Sequence, residues 1–398
     1  MQSLQQLYRI GCGPSSSHTL APRRAAERFK SAHPEAASYR VTLYGSLAAT
    51  GRGHLTDLVI TDTFAPAPVT IVWRPDIELN SHPNGLEFEA LTTGGGVIGK
   101  QTFFSSGGGA LLGDASDPVY PDHSLQTIME SCEKSGKTFW EYVQECESPR
   151  IWDHLRRVWR AMRRSVHRGL IAHGDLPGEL GIPRKAGMFL RKARNFENEF
   201  RTEALLAAYA YAVTEENAAG EIVVTAPTCG SCGVLPAVLL LLVDLHPRNQ
   251  MEILRALATA GLFGNVVKHN SSISGAIVGC QGEIGTACAM AAAAAAQLMG
   301  GTLRQIEYAA EMGLEHHLGL TCDPVAGLVQ IPCIERNAHA ASRSLSCARF
   351  ALLSDGVHRI SFDDAVAVMD ETGRALPRMY KETSLGGLAL AYKSRLKG

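Results

Sequence analysis

Residues 287–296 read ACAMAAAAAA, and no other stretch of the chain constrains its fold as strongly. Alanine is the best helix former, so the segment reads as a helix, one with no polar face at any angle around its axis. A helix apolar all round must be buried by lipid or by other helices. Crossing a bilayer takes about 20 apolar residues. Neither this run nor the apolar run 234–243 is that long. The segment is therefore expected at the centre of an all-α bundle. Periodicity supplies the rest of the bundle, with helices expected near 125–133, 138–145, 151–169, 198–214, 235–245, 251–261, 303–313, 338–354 and 362–373.

The first 110 residues have a different texture. A helix is expected over 21–32. Strands are expected at 39–44 (YRVTLY), 69–73 (VTIVW), 86–91 (LEFEAL) and near 101–105. The stretch GDASDPVYPDHS, 113–124, carries two prolines and three aspartates and reads as a linker. The expected fold class is α+β: an N-terminal α/β domain over 1–112, the linker 113–124, and an all-α domain over 125–398. At 398 residues, 45% apolar and 19% charged, the chain has the composition of a soluble globular protein. A formal net charge of −1 without a conspicuous Lys/Arg run argues against a nucleic-acid partner. The start, MQSLQQLYRIG, shows no secretory signal. A cytoplasmic location with no membrane partner is expected, and a homodimer is expected on general grounds.

Three segments resemble motifs. TGGGVIGKQ at 93–101 fits G-x-G-x-x-G, but a strand follows instead of the helix whose N-terminus would hold phosphates, so it reads as a hairpin turn. Cys229-Gly230-Ser231-Cys232 follows a strand-like run and precedes an apolar helix. A thiol-disulfide oxidoreductase built on Cys229 and Cys232 is one alternative reading, and the wall of a metal site is another. GPSSSHT at 13–19 places three serines, a histidine and a threonine before a helix. Capping needs one hydroxyl; four with an imidazole suit a carboxylate or another anion.

Ten cysteines are too few for a disulfide scaffold, and seven of them crowd into 229–347. Cys280 is flanked by glycine. Cys322 and Cys333 lie in a stretch broken by Pro324, Gly327 and Pro332, read as a loop. The paired short spacings of a structural zinc site are missing. Three loop thiolates suit an iron–sulfur cluster better, and three ligands on four irons leave one iron open as a Lewis acid.

With GPSSSHT at 13–19 come LYGSLAATGRGHLTD at 43–57, HPNG at 82–85, SSGGG at 105–109 and VVTAPT…GVLPAVL across 223–239. SISGA…GCQGE spans 272–283, LTCDPVAGLVQIPCIERNA spans 320–338, and YKETSLGGLA spans 380–389. In this order the chain resembles the iron–sulfur-dependent bacterial L-serine dehydratases over nearly its whole length. The resemblance implies a mixed sheet in the N-terminal domain and a 4Fe–4S cluster on Cys280, Cys322 and Cys333. It implies dehydration of L-serine to pyruvate and ammonia, a step of amino-acid catabolism and gluconeogenesis. A histidine near neutral pKa suits the base. His18 and His54 are the candidates; His54 is favoured, with Asp57 orienting a ring nitrogen, and His18 then positions the carboxylate or the leaving oxygen. Ser15, Ser16, Ser17 and Thr19 would hold the carboxylate, and Asn270, Ser272 and Ser274 would line the cavity from the helical side. His316 and His317 are read as packing or support. Many relatives have Asn at the position of Cys229 and Glu at that of Ile277, which leaves a related small hydroxy- or thiol-amino acid as an alternative substrate. Some relatives end in a cysteine that caps the open iron; this chain ends KSRLKG, so no such cap is expected.

Overall fold

The computed structural model describes residues 1–80, 82–114 and 117–396. The chain opens with strand β1 (Ile10–Cys12), α1 (Ala21–Ala32), β2 (Ser38–Tyr44), α2 (Gly45–Thr50), α3 (Thr56–Phe64), β3 (Val69–Arg74), β4 (Gly85–Leu91), β5 (Val97–Gly107) and β6 (Ala110–Leu111). The sheet order is β3-β2-β4-β5-β6. β2 runs parallel to β3 and antiparallel to β4, pairing Val41 with Ile71 on one side and with Phe88 on the other. The sheet is thus mixed, as expected. Its alternating apolar residues pack with α1 and α3 around Phe29, Phe64 and Phe88. TGGG at 93–96 closes the β4–β5 hairpin, with Gly95 N donating to Thr92 O; the hairpin reading holds.

The helical body follows: α4 (Leu125–Ser135), α5 (Phe139–Cys146), α6 (Ile151–Ile171), α7 (Ala186–Ala193), α8 (Asn198–Ala218), strand β7 (Ile222–Val224), α9 (Val234–Leu245), α10 (Gln250–Asn270), α11 (Gly275–Val278), α12 (Thr286–Leu298), α13 (Leu303–Glu315), α14 (Cys333–Leu352), α15 (Phe362–Ala375) and α16 (Gly387–Arg395). Every residue from Ala287 to Ala296 is buried, with α9, α10, α13 and α14 packed around α12. Alanine lets those neighbours approach closely; a Cβ on Gly313 would sit 3.0 Å from Ala289 Cα. Capping boxes start α10 at Asn249, α13 at Thr302 and α15 at Ser361.

Two expectations are corrected. Residues 1–12 do not belong with the α/β domain. Met1, Leu4, Leu7 and Tyr8 are buried in the helical core, and β1 pairs with β7. Leu4 N, Ser3 Oγ and Tyr120 Oη all donate to the Glu147 carboxylate. Secondly, α14 begins at Cys333 rather than at 338. Arg157, Arg160, Arg163 and Arg164 are exposed along α6. The linker 113–124 includes residues 115 and 116, which lie outside the described residues. No helix among the described residues is long and apolar enough to cross a membrane.

Candidate active site between the two cores

The three cysteines arrive from three local structures. Cys280 follows α11 and opens a wide turn, Gln281–Gly285, that leads into α12. Cys322 lies after α13, where its backbone pairs with the returning tail: Cys322 N donates to Tyr380 O and Glu382 N donates to Cys322 O. Cys333 is the first residue of α14, not a loop residue. Cys280 Sγ and Cys322 Sγ lie 3.8 and 3.9 Å from Glu283 Oε2. All three cysteines line one small, tightly packed space with Pro14, Ser15, His54, Gly230, Glu283, Ile284, Pro324, Val329 and Glu382.

This donor set fits an iron–sulfur cluster on three thiolates. The wall beside it is glycine: a Cβ on Gly275 would fall 2.9 Å from Cys322 Sγ and 2.7 Å from Glu283 Oε2. The Cys280 neighbour, then burial, push the Cys322 thiol well up, and burial does the same to Cys333. Thiolates here need nearby positive charge. Arg336 supplies part of it, its own guanidinium held more firmly protonated by the three cysteines.

The α/β domain contributes two adjacent histidines, His18 and His54, with ring centroids 4.5 Å apart and planes tilted by 39°. His54 Nδ1 lies 3.0 Å from Thr50 O. A carbonyl can only accept, so Nδ1 carries the hydrogen and Nε2 keeps a lone pair. That nitrogen faces Glu382 Oε1 at 3.9 Å. His18 is fully engaged, with Nδ1 2.9 Å from Ser17 Oγ and Nε2 3.3 Å from Ser46 Oγ. Burial lowers both histidines, His18 to about 4 and His54 well below its usual value, His18 adding to the effect on His54. Asp57 does not orient His54; Thr50 O does, and Asp57 sits in the first turn of α3.

Ser16–Leu20 forms a second wide turn, with Leu20 N donating to Ser15 O. Such turns recur at functional sites. Ser15 lines the cavity; Ser17 bonds His18; Thr19 Oγ1 donates to His54 O; Ser16 is buried beside them. The helical-side residues lie elsewhere. Asn270 is exposed at the end of α10, where Nδ2 donates to His123 O. Ser272 Oγ accepts from Ser274 N, and Ser274 packs near Gly107; neither lines the cavity. His317 Nδ1 donates to Gly313 O and His316 Nδ1 to Met312 O, in keeping with packing.

Cys229 and Cys232 are free, fully buried thiols. Burial pushes both up, the reverse of what an attacking dithiol needs. Their loop forms a wall instead, with Gly230 against Glu283.

Sequence reasoning gave no role to Glu283, Ser46 or Glu382. Thr228 Oγ1 donates to Glu283 Oε1 at 2.8 Å. Glu382 takes φ 55°, a left-handed conformation that costs a non-glycine residue about 1–3 kcal/mol. Its presence in YKETSLGGLA was the available signal.

Three thiols, a histidine with a free lone pair and a hydroxyl-rich turn thus meet between an α/β domain and a helical bundle. Residues 114–389 match the family described as serine dehydratase alpha chain, and residues 3–66 match serine dehydratase beta chain. The chain belongs to the serine dehydratase family. It is 39% identical to L-serine dehydratase of Streptomyces coelicolor, with 98% of each chain covered. It is 37% identical to L-serine dehydratase 2 of Escherichia coli, covering 98% of this chain and 99% of that one. Identity to L-serine dehydratase of Mycobacterium tuberculosis is 39%, over 98% and 97% of the two chains.

Proposed function

We propose that the protein is an L-serine ammonia-lyase, converting L-serine to aminoacrylate and water, the aminoacrylate then hydrolysing to pyruvate and ammonia. The observation that carries this reading is the meeting of Cys280, Cys322 and Cys333 with His54 and Ser15 on one cavity. The three cysteines would hold a 4Fe–4S cluster, which supplies a Lewis acid for a poor leaving group when bound. His54 Nε2 takes the α-proton, because its lone pair is free while both nitrogens of His18 are engaged. His18 fixes the hydroxyl turn. Ser15, with Ser16, Ser17 and Thr19 behind it, orients the carboxylate. Burial excludes water from the carbanion-like transition state.

The test is anaerobic purification and reconstitution with iron and sulfide, followed by a visible spectrum and assays for pyruvate and ammonia. The expected result is brown protein that consumes L-serine. Turnover by colourless, iron-free protein would overturn the cluster, and brown protein inert toward L-serine would overturn the reaction.

A further inference from the structure

We infer that Glu382 is a specificity residue: its Oε2 accepts the ammonium of an amino-acid substrate and selects against acids that lack nitrogen. The inference rests on the amino-acid lyase reading above and assigns the one charged group of the substrate still without a partner.

Glu382 is 6% exposed and lines the cavity. Its two oxygens differ. Oε1 faces the histidines, 3.5 Å from His18 Nδ1 and 3.9 Å from His54 Nε2. Oε2 is buried with no hydrogen-bond partner among the described residues. Burial, then the neighbouring Glu283, hold this carboxyl well above the usual range while it is unpaired, and a cation placed at Oε2 supplies the missing partner.

Stereochemistry identifies the cation. The ammonium is bonded to the same carbon whose proton His54 Nε2 removes, about 1.5 Å away from that carbon. A carboxylate beside Nε2 is therefore within reach of the ammonium. Glu283 is not available in the same way: Thr228 Oγ1 occupies Oε1, and two thiols face Oε2. The serine and threonine hydroxyls of 15–19 suit the substrate's carboxylate and carry no charge to offset an ammonium. The backbone is held for this placement, with Glu382 N donating to Cys322 O at 2.6 Å and Glu382 O accepting from Ser46 Oγ at 2.7 Å.

Two unreactive probes isolate the role. L-alanine has the ammonium and no leaving group; propanoate has neither. Calorimetric titration of the cluster-loaded protein should show alanine binding more tightly than propanoate. Glu382→Gln should weaken alanine by about 10- to 100-fold, as for loss of a charge-assisted bond, and leave propanoate unchanged. Glu382→Asp should recover part of the preference. The KM for L-serine should rise more than kcat falls. Equal weakening of both probes would mean that Glu382 only shapes the cavity. Unchanged alanine affinity, or no alanine preference in the parent, would equally overturn the inference. A parent protein that prefers alanine through Glu382 yet leaves L-serine intact would sink the serine reading alone.

Discussion

Ser46 Oγ donates to the main-chain carbonyl of Glu382 at 2.7 Å and lies 3.3 Å from His18 Nε2. Because its hydrogen goes to the carbonyl, Ser46 must accept from His18, so Nε2 carries the hydrogen and Nδ1 accepts from Ser17. One hydroxyl thus fixes the tautomer of a histidine in the first domain and the position of a carboxylate from the returning tail.

The cysteine assignment separates ligands from packing. Ser substituted at Cys280, Cys322 or Cys333 should remove iron and activity together. Cys288→Ala, inside α12 and away from the cavity, should leave iron content intact. Iron analysis and the visible spectrum read the outcome, and normal iron in Cys322→Ser would refute the set.

His54→Ala should lower kcat by about 10²- to 10⁴-fold, the usual range for loss of a general base, with a modest change in KM. His18→Ala should raise KM as well, since the hydroxyl turn loses its anchor. Exchange of α-deuterium from labelled L-serine into solvent discriminates the two. Label lost at the parental rate from His54→Ala but not from His18→Ala would reverse the roles.

Acid should destabilise the fold through the same pair. Both histidines are lowered in the folded state, by burial first. The unfolded chain therefore binds more protons below its ordinary value of about 6.5, and stability rises with pH through that window. For His18 the window runs from about 4 to its ordinary value. Each histidine contributes at most about 1.4 kcal/mol per pH unit there. Urea midpoints measured across it should fall with acidification, and a His18→Gln variant should show a shallower slope.

Gly275→Ala should disturb the thiol cavity without replacing any of the three cysteines. The new methyl would fall 2.9 Å from Cys322 Sγ and 2.7 Å from Glu283 Oε2. Overpacking of this kind costs about 1–3 kcal/mol. Iron loading should drop while the circular dichroism spectrum stays parental; full loading would show that the wall yields.

The bundle was legible because a helix with no polar face leaves few alternatives, and the cysteines because glycine and proline break the segments around them. The helices α2 and α3 were not. They are short, and TDLVITDTF in α3 is rich in β-branched residues that favour strands. Asn270, expected at the cavity from the resemblance, ends α10 instead and lies in solvent. Glu382 was out of reach for another reason. Its position depends on backbone bonds to Cys322, sixty residues earlier, which no local pattern encodes.

The burial of residues 1–8 in the helical core has a topological consequence. The α/β domain is not an appendage at one end of the chain but an insertion, leaving the bundle after β1 and returning to it before α4. Gly53, with no room for a Cβ against Gly327 O, lies at a close contact between the two bodies. A body joined to its neighbour by two chain crossings is more constrained than a singly tethered domain. Severing the chain between the two bodies at one place would leave them attached at the other.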